Sequence, residues 1–443
     1  MRTEIVKYVD PDGGILADYT SLQAAITAEK AIRSDLVARD EVLKLMCISS
    51  AGSPDTTPVV INSGDFVTDA TRKLLIQGDN NIGIWDNSKY RLIVAASICI
   101  IPNISNIQIY NMQFANNNNF IATIDINNAT VSNIIINNNI FTTAGATGQG
   151  IEVNSSAGNI YLINNVLYGM RQGIVVFAAG GSVYIYNNTI NATELGIIGN
   201  ASATVRAKNN ISNGSSDNYF SSFHVSSDYN ISNLAGDAPG ANSLNSTTVN
   251  FADASGGDFR LLAGSPGIDQ GVDLSSDPNF PFNTDIIGTV RPQGAAWDIG
   301  AFEYVDPFIY QDLTAKIEAQ TSVRASLSKK LELAGVFDAA TQLKSLLVID
   351  RNFSAIIKTD SAITAQAVKV IALSGDIRSL SDLKLSLSAD RRFAGRIESF
   401  SMISARLSLP VLIEEISLNA PGLTVVDLSA PGNNILNLKA SYL

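Results

Sequence analysis

Asp125 and Glu152 are the two residues of this chain whose type and spacing could do chemistry. Asp125 precedes Asn139 by nearly the same offset as Glu152 precedes Asn165. If each Asn marks the same place in successive coils of a stacked fold, the two carboxylates lie nearly above one another on one outer face. An acid and a base or nucleophile at that separation can cleave a glycosidic bond. Glu194 stands further ahead of Asn210 and falls out of line, and Arg171 and Arg206 are the nearby cations. The plainer reading is that Asp125 and Glu152 face solvent in the alternating strands Ile124-Asp125-Ile126 and Ile151-Glu152-Val153. We expect the plainer reading, so the pair stays a weak catalytic candidate and the chain leans away from being an enzyme.

Other chemistry has little to work with. His224 is the single histidine, so no His pair can build a zinc site or a Ser-His-Asp triad. No Walker loop, HExxH or EF-hand pattern occurs. We expect no cofactor and no metal. Cys47 and Cys99 each lie in an apolar run, which suits two buried thiols behaving as small hydrophobes better than a disulfide.

The elements that would position such residues are strands. From about 82 to 232 a loose repeat is marked by an Asn before an apolar residue or Thr, at Asn111, Asn139, Asn165, Asn188, Asn210 and Asn230. The interval between markers shrinks steadily along the chain, and a short apolar strand such as Ile107–Tyr110 or Val183–Tyr186 precedes most of them. Coils of this length with a recurrent Asn suit a right-handed parallel β-helix. The Asn would sit at a bend, tolerate left-handed geometry and stack into a ladder of amide hydrogen bonds. Ahead of this, residues 19–33 read as one amphipathic helix with Thr20 or Ser21 as N-cap, followed by strands at 42–48, 59–62 and 73–77. A helix there would plug the open end of the stack.

A second repeat has a fixed period, with registers beginning at Leu313, Leu333, Phe353, Leu373 and Phe393. Small residues stand two positions on, and apolar residues four and ten positions on. Every second residue is apolar or small, which is the strand signature, and a fixed period of this size marks a solenoid or array. A single-chain solenoid and an intertwined shaft of three chains both fit. We lean to a homotrimer, because one such repeat cannot bury its apolar face alone.

Residues 82–304 resemble the right-handed β-helix superfamily of pectate lyases, phage tailspikes and related surface proteins. The resemblance is closest at the end of the region, where Asp258-Phe259-Arg260-Leu261 leads through Gly264-Ser265-Pro266-Gly267-Ile268-Asp269 and Arg291 to Trp297-Asp298-Ile299-Gly300-Ala301-Phe302-Glu303-Tyr304. It is similar to the closing segment of bacterial and phage β-helix proteins and speaks for fold far more than for activity. The resemblance implies Trp297, Ile299 and Phe302 buried against the last coil. The turns at Asp269, Asp273, Asp277, Asp285 and Asp298 are oxygen-rich enough for calcium, but their spacing matches no defined loop. A structural lock of Arg291 with Asp298 or Glu303 is the preferred reading. The 20-residue repeats resemble those of phage tail and fibre proteins.

Composition bounds the rest. At 443 residues the chain holds several modules, which we place at 1–81, 82–250, 251–304, 305–412 and 413–443. Charged residues make up 16% and the net charge is −11, which disfavours nucleic acid and anionic membranes as partners. No apolar run approaches the length of a membrane-spanning helix, and residues 1–14 lack the apolar core of a secretory signal. The expectation is an all-β, modular virion structural protein, fibre-like, tailspike-like or on the capsid surface, made in a host cytoplasm. Its partners would be other virion proteins and a host surface glycan, for assembly, display or host attachment. A polysaccharide-cleaving β-helix enzyme and a bacterial extracellular filament or adhesin are the alternatives.

Overall fold

The computed structural model describes residues 2–306 apart from 81, 117–120, 144–146, 156–157, 178–179, 201 and 215, together with the backbone of the strands between 313 and 440. It divides into two compact units, Met1–Val305 and Asp306–Leu443. The fold is all-β, with about 7% helix.

The first unit is a parallel β-solenoid whose most regular stretch, residues 91–220, makes about four turns. One sheet stacks eight strands in chain order, from Thr3–Val9 and Glu41–Cys47 through Leu74–Gly78, Ile107–Tyr110, Ile134–Asn137, Asn159–Ile163 and Ser182–Tyr186 to Thr204–Lys208. Like stacks on like. Ile107 pairs with Ile134, Ile134 with Ile160, and Ile160 with Val183, all essentially fully buried. Alternation sends every second side chain inward, and a parallel register places each inward residue on its counterpart one coil away. A second sheet closes the coil, with Ile100, Ile124, Ile151, Ile174 and Ile197 stacked in the same manner. The long strands Val166–Val176 and Thr189–Ile198 turn a corner, so each pairs with two shorter strands of a neighbouring coil.

A helix, Leu22–Arg33, packs on Thr3–Val9, Glu41–Cys47 and Val59–Ile61, with Leu22, Ala25 and Ile26 buried in the solenoid core. Its N-terminus is held twice. Ser21 accepts from Ala24 N at 3.2 Å, and the buried Asp55 carboxylate accepts from Leu22 N at 2.7 Å. Glu29, buried on the same face, is held by Arg33 and by the Tyr19 hydroxyl at 2.6 Å. The strand Thr3–Val9 was not legible in the sequence. It is a half-exposed edge strand carrying Glu4 and Lys7, so its alternation is weak. Residues 1–81 thus supply three of the eight stacked strands besides the helix. Cys47 and Cys99 are free and buried. Among the described residues no helix is long and apolar enough to cross a membrane.

In the second unit every described strand pairs in parallel with another strand of the same chain, and from Leu313 to Ser408 nearly all partners are 20 residues apart. Leu313 pairs with Leu333, Leu333 with Phe353, Phe353 with Leu373, and Leu373 with Phe393. A second row does the same from Leu343 through Ile363 and Leu383 to Ile403. The sheet continues past 412. Ile403 pairs with Thr424 and Gly395 with Ile416, a step of 21, and Ile416 pairs with Leu438, a step of 22. The Ala-Pro-Gly turns expected at 420–422 and 430–432 lie outside the described residues.

Removing residues 353–372 should delete one turn and rejoin the same register. Far-ultraviolet circular dichroism and the melting temperature should stay near those of the full chain, with the hydrodynamic size slightly reduced. A loss of the cooperative transition would show that the period is not a structural unit.

Candidate functional site

The coils must bend sharply after their first-sheet strands, and in four of them, at 138–139, 164–165, 187–188 and 209–210, two consecutive asparagines share that work, while Tyr229 takes the first place beside Asn230. The first adopts positive φ: Asn111, Asn138, Asn164, Asn187 and Asn209 lie at 53° to 58°. Asn enters this region at least cost among non-glycine residues. The second points its amide inward. Asn139 Nδ2 donates to Asn165 Oδ1 at 3.1 Å, Asn165 Nδ2 to Asn188 Oδ1 at 3.0 Å, Asn188 Nδ2 to Asn210 Oδ1 at 3.0 Å, and Asn210 Nδ2 to Asn230 Oδ1 at 3.0 Å. Each Oδ1 also accepts the backbone N–H of the preceding ladder residue, as from Asn139 N to Asn165 Oδ1 at 3.0 Å. Each Nδ2 also reaches a strand carbonyl, as from Asn165 to Ile136 O at 2.8 Å. All five ladder side chains are fully buried. One amide per coil therefore satisfies backbone groups that the bend would otherwise strand.

Asn111 is a correction. It belongs to the left-handed row, and Met112 occupies the ladder position, its N–H donating to Asn139 Oδ1 at 2.9 Å. The sequence showed a single Asn there, and counting from it placed this marker one position out of register.

The left-handed asparagines have a use of their own. Residues 258–304 reach the last coil through Ile299 and Leu261 but are not confined to it. They lie along the flank of the stack, across this row. Asn164 Nδ2 donates to Thr284 O at 2.8 Å, Asn187 Nδ2 to Gly300 O at 3.2 Å, and Asn209 Nδ2 to Val272 O at 2.8 Å. Trp297 packs against Ile163, Tyr184 and Tyr186, while Phe302 packs against Ile140 and Val166. Ile299 packs against Ile211 and Ile231. Anchors from one short segment thus reach five coils. The tight turn needs Gly300, whose φ is 102° and where a Cβ would stand 2.6 Å from Ile211 Cδ1.

Behind this strap lies a buried charge knot. Arg291 Nη1 donates to Glu303 Oε2 at 3.0 Å and to the backbone carbonyl of Asp298 at 2.9 Å, and Nη2 donates to Gly300 O at 2.9 Å. The guanidinium also faces the Trp297 ring at 5.6 Å. Its ion-pair partner is Glu303. The Asp298 carboxylate instead accepts from Asp269 N at 2.8 Å and Tyr304 N at 2.5 Å. Asp285 accepts from Thr289 N and Glu303 N at 2.7 and 3.0 Å. Three buried carboxylates share one guanidinium. Burial, with Glu303 alongside, pushes Asp298 up to about 7, against the pull of its two backbone donors and Arg291. Asp269, Asp273 and Asp277 each hold turn N–H groups, and Asp277 also meets Lys208 at 3.3 Å. Among the described residues no group of three or more His, Cys, Asp and Glu is placed to hold a metal ion.

The carboxylate pair stands on the second sheet opposite the inward isoleucines, but Asp125 is buried and Glu152 half-buried, so the expectation that both face solvent is corrected. Asp125 and Glu152 pair directly across adjacent strands, so their Cα atoms are one coil spacing apart, about 4.8 Å. Asp125 accepts from Asn127 Nδ2 and Asn154 Nδ2, both at 2.8 Å. Burial and then the Asp125 charge raise the Glu152 pKa, with Asn154 opposing. Two carboxyl groups on adjacent coils, one of them holding two amides, are the geometry an acid and base pair needs. One and two coils beyond Glu152, the same row carries Val175 and Ile198, which have no such chemistry. Glu194 is engaged by Arg171 at 2.9 Å. His224 lies in a loop, with Nδ1 at 2.8 Å from Ser226 Oγ.

Asn165→Leu should destabilise the chain by about 1–3 kcal/mol, because it strands buried donors and acceptors on both neighbouring coils. Asn164→Gly keeps the left-handed turn and should cost less, so equal melting temperatures for the two variants would refute the division of roles. Asp298 supplies a pH test. Its carboxyl keeps its proton to about 7 in the folded chain but loses it near 3.8 when unfolded. Between those values the folded state binds more protons, so this contribution to stability falls as pH rises. Asp298→Asn should remove that slope in melting temperature between pH 4 and 8. It should also lower stability at every pH, since its amide NH2 would face a backbone N–H. An unchanged slope would locate the titration elsewhere.

No family model, no curated protein and no solved structure matches this chain.

Proposed function

We propose that this chain is a structural component of a virion surface, fibre-like or tailspike-like, built for assembly, display or host attachment. The observation that carries the reading is the recurrent 20-residue register of the second unit, in a chain whose first unit is a solenoid with an interior of apolar stacks and an amide ladder. Both units gain length by adding coils, and repeats of this kind present surface rather than enclose a reaction. The resemblance of the closing segment and of the repeats to phage and bacterial surface proteins supports the same reading. In this proposal the chain works as a homotrimer among other virion proteins and meets a host surface glycan. The test is direct. Particles labelled with antibody against residues 313–408 should show the chain on their surface by electron microscopy, and the purified chain should sediment as a trimer. A monomer absent from every particle would end this reading.

The paired Asp125 and Glu152 favour a second reading, a polysaccharide depolymerase acting on the outer face of the second sheet. The structural reading expects no reducing ends or unsaturated products from a panel of glycans, and no change for Asp125→Asn with Glu152→Gln. Depolymerisation by the natural chain that the double variant loses would select the enzyme instead.

A further inference from the structure

A cavity of about 220 Å³ opens on the outer face of the first sheet, away from the Asp125–Glu152 pair. Its apolar wall is Ile135, Tyr161 and Phe280. That wall is rigid, because Phe280 packs on Tyr161 at 4.8 Å between ring centroids, and Tyr161 stacks on Tyr184 at 5.0 Å. Its polar edge is Lys73, Asn106 and Asn133. Asn133 Nδ2 is spent on Asn106 Oδ1 at 3.1 Å, and the exposed Asn133 has an oxygen left to accept.

Lys73 is the informative residue. Most nearby cations are matched, Arg72 by Asp69 and Lys208 by Asp277. Lys73 is half-buried and has no salt bridge among the described residues. Burial and then the charge of Arg2 push its ammonium down from the ordinary lysine value, so no protein anion offsets it. An uncompensated cation at the edge of a mainly apolar pocket calls for an anion joined to an apolar group.

We infer that this pocket receives a hydrophobic residue bearing a carboxylate, such as the C-terminal Phe or Leu of a partner protein. The apolar side chain fills the space beside Ile135, Tyr161 and Phe280, the carboxylate meets Lys73, and the preceding peptide N–H has Asn133 Oδ1 as acceptor. A sugar acid would supply the anion, but its hydroxyls would face Ile135 and the two rings without partners. The inference deepens the assembly reading by naming the chemistry of a partner, and it rests on that reading for its biological meaning.

The probes are N-acetyl-phenylalanine and a short peptide ending in a free Phe, each with its C-terminal amide as control, titrated into the full chain by calorimetry. The carboxylates should bind saturably, and the amides about tenfold or more weaker. Lys73→Met should cost the same tenfold while leaving the melting curve unchanged, and Ile135→Asp should weaken the acid probes. Equal binding of acid and amide, no saturable binding, or tighter binding of glucuronate would each overturn the inference. Binding by a chain that never associates with particles would keep the pocket and sink the assembly reading. Association that survives Lys73→Met in a chain that binds no probe would do the reverse.

Discussion

A parallel coil that turns through a buried bend must find partners for the backbone groups it exposes there. The solution in this chain is one inward amide per coil, and the rest of the first unit follows from it. The amide both accepts from the N–H of the previous ladder residue and donates to a strand carbonyl, so it fixes the rise between coils to the spacing of paired strands. With that rise fixed, apolar residues at equal positions stack on one another, and the core needs no irregular packing. An amide serves where a hydroxyl or carboxylate would not, because only Asn and Gln carry a two-proton donor and a strong acceptor in one planar group.

Fixing the inner amide leaves the residue before it to make the turn. It takes left-handed geometry, and its side chain is left out of the ladder. The flank of the stack thus carries a row of amides that bond to one another and to the strap of residues 258–304. Its carbonyls accept from the row, its aromatic residues fill the spaces between coils, and Arg291 gathers the carbonyls of its returning turn. The knot of three carboxylates around one guanidinium holds because every one of their oxygens accepts a backbone N–H.

Much of this was written plainly in the sequence. The Asn spacing located the coils and the 20-residue period the second unit's strands, while the helix expected over 19–33 with Thr20 or Ser21 as cap begins at Leu22, capped by Ser21. What escaped had physical reasons. Paired asparagines look alike on paper, and only the backbone shows that Asn164 turns while Asn165 bonds. Asn111 misled because Met112 takes the ladder place beside it. The closing segment reads as an end cap because its buried residues say that it packs, not where. Lys73 drew no notice, since a lysine before a strand is ordinary until its lack of a counter-charge is seen in three dimensions.

The strap also changes how the stack comes apart. In a solenoid each coil touches only its neighbours, so an end can peel away one turn at a time. Here Trp297, Ile299 and Phe302 are anchored on different coils between Ile140 and Ile231 while belonging to one rigid turn. No coil in that stretch can leave without pulling the anchor from the others. The spanned coils therefore answer heat or tension as a single block, and the stack yields first on the side that no strap crosses.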